Sequence, residues 1–250
     1  MGRHTNSRMK TPLVGTPFAI DQQEGHKYNL DSILLANFIK NVPKKIKKIY
    51  DFGTGQGVLM FYLALKTDAN ITGFDIQKSF IELANRNIEY NQLDHQLEAL
   101  EQDIKLLTIH HADMIVSNPP YFKVTKDIPL STIESRKIAR HEVHLTLETL
   151  LEVASRSLRT KGVFYMSYRP DRLQELMMLS QKHKLIIKEI QFVHPYQTEF
   201  AHLVLIKMVK DANVGIKILE PLILYESKQI MTESLKKIYE GDAYASFNTE

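Results

Sequence analysis

The sequence predicts an α/β protein built on an open, doubly wound and mostly parallel sheet. From residue 46 onward, short apolar runs typical of buried strands alternate with segments of helical periodicity. Alternating β and α units form parallel sheets with helices on both faces. Glycine or polar side chains follow each of the first four predicted strands. Sheets of this class bind ligands at the carboxyl ends of their strands, so this edge is the predicted site.

The first half of the alternation predicts four strands and two helices. The strands cover residues 46–52, 70–76, 96–100 and 113–117, and the helices cover residues 58–66 and 78–91. The first strand runs into a glycine-rich turn, which opens the first helix. The second helix carries an apolar stripe that includes Ile81 and Ile88, so one side should face the sheet.

The second half predicts three more strands. A helix over residues 145–158 ends before Lys161-Gly162, a strand follows over residues 162–168, and Pro170 lies in the first turn of a helix that reaches residue 183. Strands over residues 185–193 and 202–209 are joined by a short turn, which predicts an antiparallel hairpin. The expected sheet has seven strands, and its last strand is antiparallel. We expect residues 1–30 to form an N-terminal cap, residues 31–210 the main domain, and residues 211–250 a tail packed on that domain.

Composition restricts the class of protein. Of the 250 residues, 44% are apolar and 24% are charged, as in ordinary soluble domains. The chain contains no cysteine, which excludes disulfides and thiolate metal sites, and we predict no metal site of any other kind. The polar, basic start predicts neither a signal peptide nor a membrane span, so we expect a cytoplasmic protein, and a monomer. A net charge of +3 permits a polyanionic partner without requiring one.

The glycine-rich turn reads Asp51-Phe52-Gly53-Thr54-Gly55-Gln56-Gly57. Its Gly-x-Gly-x-Gly spacing differs from the dinucleotide-binding pattern, and its acidic first residue suits an amine better than a pyrophosphate. Asp75, about 20 residues later, could accept both hydroxyls of a ribose. Asp103 follows the third strand and could accept from an adenine amino group. Together these residues resemble the S-adenosylmethionine site of a class I methyltransferase; the alternative is a tight turn surrounded by solvated acids. The candidate cofactor residues here are Asp51, Gly53, Thr54, Gly55, Gly57, Asp75, Ile76 and Asp103.

A second motif, Asn118-Pro119-Pro120-Tyr121, follows the fourth strand. Two prolines fix their own φ angles and cannot donate to a sheet, so the chain leaves the strand as a rigid loop. The Asn118 amide oxygen and the Pro119 carbonyl can accept two N–H bonds from a planar amine, while Tyr121 stacks on its ring. The exocyclic nitrogen of adenine fits this arrangement. The alternative is a plain proline turn in which Asn118 is only a local cap.

The two motifs together resemble the N6-adenine methyltransferases, which have a Rossmann-like fold. Further segments are similar to the bacterial tRNA adenine-N6 methyltransferases that act on the adenine 3′ of the anticodon of a valine tRNA; they cover residues 22–35, 139–142, 193–195 and 220–225. The resemblance implies S-adenosylmethionine as cofactor, tRNA as partner, and Asn118 to Tyr121 as the catalytic loop. It also implies that Tyr28 and Asp31 help to cover the cofactor. Basic residues beside the loop would contact RNA phosphates: Lys123, Lys126, Arg136, Lys137, Arg140 and His141.

Other functions stay open on the sequence. The same four-residue loop serves methyltransferases of glutamine side chains, because a carboxamide is also a planar amine, and it serves DNA adenine methyltransferases. Those classes usually carry an extra N-terminal helical domain or a target-recognition domain. A catalytically silent RNA-binding platform with the same fold is the alternative from another class, and intact motif residues argue against it.

Overall fold

The protein is represented by a computed structural model, which describes residues 10–22, 29–119 and 145–241. Its strands are β1 (Thr11–Pro12), β2 (Ala19–Ile20), β3 (Lys48–Phe52), β4 (Asn70–Asp75), β5 (Leu97–Glu101), β6 (Ala112–Ser117), β7 (Leu158–Tyr168), β8 (Leu185–Tyr196), β9 (Leu203–Lys210), β10 (Lys217–Ile218), β11 (Leu222–Ser227) and β12 (Ile230–Met231). Its α-helices are α1 (Leu30–Phe38), α2 (Val58–Ala64), α3 (Lys78–Tyr90), α4 (Leu147–Ser157), α5 (Leu173–Lys182) and α6 (Glu233–Glu240). Two 3₁₀ turns cover Ile104–Leu106 and Pro170–Arg172.

One large sheet organises the described residues, with the strand order β12-β11-β8-β9-β7-β6-β3-β4-β5, and β10 pairs with β8. Strands β3 to β7 are parallel to their neighbours within that group, and β9 is antiparallel to both β7 and β8. The predicted doubly wound sheet of seven strands with an antiparallel last strand is therefore confirmed. Beyond those seven, β11 adds to the edge of the sheet parallel to β8, and β12 folds back on β11.

Helices cover both faces of this sheet, and each face has its own apolar cluster. Helices α1, α2, α3 and α6 enclose one cluster, which includes the buried residues Ile33, Phe61 and Ile71. Helices α4 and α5 enclose the other, which includes Leu151 and Phe164. Successive side chains of a strand point to opposite faces, so a fully covered sheet needs apolar residues on both. This explains why the central strands read as continuous apolar runs.

Several boundaries differ from the prediction, and the largest shift toward the site is at the end of β8, which runs to Tyr196 instead of residue 193. Two of the differences have a local reason. Strand β7 begins at Leu158, directly after α4, because the Leu158 side chain is buried and pairs with Ala112. The pairing with β6 then shifts register between Leu158 and Val163, and Lys161 lies in this irregular stretch with a φ of 62°. After β7, the chain through Pro170 forms a 3₁₀ turn before α5 begins.

The described part of the N-terminal segment forms the hairpin β1–β2, which is anchored to α3. The Asn91 amide exchanges two hydrogen bonds with the backbone of Ala19, at 3.2 and 2.9 Å, and Asn87 does the same with Asp21, at 2.8 and 2.9 Å. Among the described residues, no helix is long and apolar enough to cross a membrane. The division into cap, main domain and tail stays a prediction.

Candidate active site

The glycine turn between β3 and α2 presents its backbone to open space. Gly53 and Gly55 have φ values of 76° and 55°, which favour glycine, and a Cβ added to either would meet no atom within 4 Å. The N–H groups of Gly53 and Thr54 both donate to the Phe74 carbonyl, at 2.9 and 3.0 Å, and so pin the turn to β4. Gly57, with φ 84°, is the N-cap of α2. The turn is thus rigid and leaves room for a ligand against its backbone.

Asp51 lies beneath this turn. Its side chain is only 1% exposed, and one carboxylate oxygen accepts a hydrogen bond from Thr54 Oγ1 at 2.7 Å. Burial raises the pKa of Asp51 to about 7; the Thr54 hydrogen bond opposes this rise and the negative charge of Asp75 adds to it. The carboxyl group therefore supports the turn directly, and its contact with an amine of the cofactor stays a prediction.

Asp75 is the last residue of β4 and is held by two backbone groups. Its Oδ2 accepts from Gly55 N at 3.0 Å, and its Oδ1 accepts from Gln77 N at 2.9 Å. The two backbone bonds fix the carboxylate at the end of the strand, where its predicted contact with ribose hydroxyls stays a prediction. Ile76, which follows it, is 44% exposed and offers an apolar surface beside the carboxylate.

Asp103 lies just beyond β5 and caps the 3₁₀ turn Ile104–Leu106. Its Oδ1 accepts from Lys105 N at 2.9 Å, and its Oδ2 lies 3.2 Å from Lys105 Nζ. These contacts fix the carboxylate at the edge of the site. Its predicted role as acceptor for an adenine amino group is left as a prediction.

Sheet register places the candidate residues in one row. Phe52 pairs with Phe74, and the Ser117 hydroxyl donates to the Phe52 carbonyl at 2.7 Å. The next residues along these three strands are Gly53, Asp75 and Asn118. The glycine turn, the candidate ribose carboxylate and the candidate catalytic amide therefore leave the sheet at the same level.

The Asn118 side chain is hydrogen-bonded to Ser167, Ser32 and Asn29. Ser167 Oγ donates to Asn118 Oδ1 at 2.6 Å, while Asn118 Nδ2 donates to Ser32 Oγ at 2.9 Å and to Asn29 Oδ1 at 3.2 Å. Asn29 is the N-cap of α1, and its Oδ1 also accepts from Ser32 N, which fixes the direction of the whole chain of bonds. Acceptors on Nδ2 polarise an amide and strengthen its oxygen as an acceptor.

Gly73, within β4, makes room for the turn. A Cβ at this position would lie 2.6 Å from Thr54 Oγ1 and 2.7 Å from Met60 Sδ. No side chain larger than hydrogen fits between strand and turn without displacing them.

Sequence reasoning missed Gly73, Asn29, Ser32 and Ser167. A glycine inside a predicted strand indicates that another part of the chain packs closely against the strand backbone, so the importance of Gly73 could have been predicted. Asn three residues before Ser at a helix start is a capping pattern, which would have marked Asn29. Ser167 lies near the carboxyl end of a predicted strand, but only strand order makes it the neighbour of Asn118.

Asp31 lies in the first turn of α1, between Asn29 and Ser32. Burial raises its pKa, and the nearby His202 opposes that rise. Pro119 is buried directly after Asn118. Several predicted site residues lie outside the described part of the chain: Tyr28, Pro120, Tyr121, Lys123, Lys126, Arg136, Lys137, Arg140 and His141.

Comparison with known proteins gives consistent matches. The family model described as methyltransferase small domain matches residues 29–183. A tRNA1(Val) (adenine(37)-N6)-methyltransferase of Tolumonas auensis is 31% identical over 166 residues, which cover 65% of this chain and 68% of that protein. The protein of the same name from Phocaeicola vulgatus is 31% identical over 169 residues, covering 67% of this chain and 70% of its own length.

Solved structures match at the level of the fold. A predicted O-methyltransferase of Agrobacterium tumefaciens superposes with a TM-score of 0.63 at 20% identity, covering 86% of this chain and 97% of that one. A geranyl diphosphate C-methyltransferase of Streptomyces coelicolor, in complex with S-adenosyl-L-homocysteine, gives a TM-score of 0.54 at 12% identity, covering 72% of this chain and 78% of that one.

Proposed function

The chain belongs to the methyltransferase small-domain family and, within it, to the tRNA1(Val) (adenine(37)-N6)-methyltransferases, and on that premise we propose that it methylates N6 of the adenine 3′ of the anticodon in a valine tRNA. One observation carries the proposal. The Asn118 amide is held by Ser167, Ser32 and Asn29 in the same row as the open glycine turn.

S-adenosylmethionine is the methyl donor, and it supplies an electrophilic methyl group on a sulfonium. The described residues fit this group. The backbone at Gly53 and Gly55 faces space that a Cβ would fill, and the Asp75 carboxylate is held beside it by the N–H groups of Gly55 and Gln77. We propose that these residues bind the cofactor, with Asp51 fixing the turn from below.

The acceptor amine of adenine is a weak nucleophile, because its lone pair is delocalised into the ring. Asn118 Oδ1 and the Pro119 carbonyl accept its two N–H bonds and draw the hydrogens out of the ring plane, which returns electron density to nitrogen. N6 would then form a bond to the methyl carbon as the bond from that carbon to the sulfonium sulfur breaks, with S-adenosylhomocysteine as the leaving group, and N6 would lose one proton to solvent. The chain contributes by positioning and hydrogen bonding, and these effects are sufficient for large rate enhancements. The target base must leave its stack, which costs least in an unpaired loop.

Further residues would contact the target base, the cofactor and the tRNA. We propose that Tyr121 stacks on the target base, that Tyr28 and Asp31 help to cover the cofactor, and that Asp103 binds its adenine amino group. The basic residues between 123 and 141 would contact tRNA phosphates. We further propose a monomer that acts in the cytoplasm, where its substrate is found.

The test is a transfer assay with labelled S-adenosylmethionine and three separate acceptors: an unmodified valine tRNA transcript, DNA oligomers, and release-factor protein. We expect N6-methyladenosine in the tRNA alone after digestion. A transcript with guanosine in place of the target adenine is the matched control and should take no label.

The Asn118→Ala variant shows whether the motif acts as proposed. It should lose turnover while it retains affinity for S-adenosylmethionine, measured by calorimetry. Label in DNA or protein, with none in tRNA, would overturn the assigned substrate and keep the chemistry.

A further inference from the structure

The β8–β9 hairpin extends past the edge of the sheet that carries the candidate site. Tyr168, the last residue of β7, pairs with Val204 of β9, which in turn pairs with Phe192 of β8. Strand β8 continues for four residues beyond Phe192, to Tyr196, which adds about 13 Å. Because β8 is parallel to β7, this projection lies at the carboxyl edge, where Asn118 contacts Ser167.

The tip of the hairpin is braced. Glu199 N donates to the Tyr196 carbonyl at 3.1 Å, and His194 Nδ1 lies 2.8 Å from the Glu199 carbonyl, to which it must donate. From the neighbouring strand β11, Tyr225 pairs with Tyr196, and their ring centroids are 5.9 Å apart. The tip therefore has a defined shape, held by hydrogen bonds and by an aromatic pair.

Phe200 stands on this braced tip with 97% of its surface exposed. Single exposed apolar side chains are common, so exposure alone would decide nothing. Here the residue belongs to a hydrogen-bonded tip that projects past the edge carrying the candidate site, and the paired rings of Tyr196 and Tyr225 lie on the strands that support the tip. That arrangement is typical of a surface on which a planar group stacks.

Strand β9, which begins directly after the tip, also lies beside the helix that holds the catalytic amide. Helix α1 packs against β7 and β9, and His202, the residue before β9, lowers the pKa of Asp31 in the first turn of α1 against the effect of burial. Asp31 sits between Asn29 and Ser32, which both bind Asn118. A nucleic-acid loop bound at Asn118 is thus next to the hairpin.

We propose that Phe200 stacks on an unpaired base of the RNA substrate, next to the base that is methylated. The inference rests on the proposed function, since it takes RNA as the substrate. Single-stranded RNA is commonly bound by bases stacked on aromatic side chains. The tip, residues 194–202, contains no Lys or Arg. This composition favours stacking over electrostatic binding to phosphates or to an anionic membrane.

The chain contains no tryptophan, which allows a direct test. The Phe200→Trp variant carries a single indole at the tip, and its fluorescence is titrated with an unmodified anticodon stem-loop of valine tRNA. We expect saturable quenching. Val214 is the matched control: it is apolar, 83% exposed, and follows β9 at the opposite edge of the sheet. The fluorescence of Val214→Trp should not change.

The Phe200→Ala variant measures how much the proposed stacking contributes to tRNA binding. Loss of one stacked base should raise the KM for tRNA by roughly 5- to 150-fold. The affinity for S-adenosylmethionine and the melting temperature should stay unchanged, because the ring contacts little of the protein. Phosphate contacts weaken with salt whereas stacking does not, so the ratio of wild-type to variant KM should be the same at low and high salt.

Three outcomes would overturn the inference: no quenching while wild-type protein methylates the tRNA, quenching that depends on protein concentration without RNA, or quenching by lipid vesicles alone. The second would assign the tip to a contact between two copies, and the third to a membrane. If wild-type protein transfers no methyl group to tRNA, the proposed function fails; quenching by the stem-loop would still support RNA binding at the tip.

Discussion

The hydrogen bond from Ser167 to Asn118 offers a sharp test of how the site works. Ser167 is fully buried, and its Oγ lies 2.6 Å from Asn118 Oδ1. Ser167→Ala removes this donor and leaves the chain otherwise unchanged. We predict a lower kcat for tRNA methylation with little change in affinity for S-adenosylmethionine, because the glycine turn and Asp75 do not depend on Ser167.

The magnitude follows from two effects. Loss of one intramolecular hydrogen bond costs about 0.5–1.5 kcal/mol of the free energy of unfolding, which lowers the melting temperature by about 1–6 °C in a chain of this size. Misplacement of a positioning group by about 1 Å costs up to about 100-fold in rate. The Asn118 amide keeps its bonds to Ser32 and Asn29, so we expect a partial displacement and a fall in kcat of roughly 10- to 100-fold.

The assay compares kcat, KM for tRNA, cofactor affinity and melting temperature in three proteins. Ser157→Ala is the matched control, because the Ser157 hydroxyl is equally buried and has no hydrogen-bond partner among the described residues. That variant should keep full activity and melt at the same or a higher temperature. If Ser167→Ala retains wild-type kcat, or loses cofactor affinity as strongly as kcat, the positioning role is wrong.

Three further predictions concern the turn and the core. Gly73→Ala forces a Cβ to within 2.6 Å of Thr54 Oγ1, so we expect a loss of about 1–3 kcal/mol in thermal or denaturant unfolding and weaker cofactor binding by calorimetry; full retention of both would contradict the packing argument. The raised pKa of Asp51, about 7, means that the folded protein keeps a proton which the unfolded chain releases near pH 3.8. The stability that the folded protein gains by keeping this proton is therefore lost as pH rises from about 4 to 7. The melting temperature of Asp51→Asn should consequently fall less over that range than the melting temperature of the wild type. Burial lowers the pKa of Lys66 to about 7, so the unfolded chain binds the extra proton between about pH 7 and 10.5 and stability rises with pH there; a Lys66→Met variant with the same rise would refute this.

Much of the candidate site was predictable because its signals are local. Gly53 and Gly55 adopt positive φ, Asp75 ends a strand, and Asn118 directly follows one, and each of these is visible within a few residues. The alternation of helical and strand periods fixed the class of sheet in the same way.

The partners of Asn118 were not predictable, because they come from elements far apart in sequence. Ser32 and Asn29 lie 86 and 89 residues from it, and Ser167 lies 49 residues away. No local pattern records which strands become neighbours or at which register. The addition of β11 to the sheet has the same origin, since no local pattern identifies β8 as its partner.

The sequence by itself determined the succession of strands and helices along the chain and the position of the glycine turn, because these depend mainly on neighbouring residues. Tertiary structure decided which side chains hold Asn118, why residue 73 must be glycine, how far burial raises the pKa of Asp51, and where Phe200 stands relative to the site. Those properties depend on distances between separate elements, and only the packed sheet defines such distances.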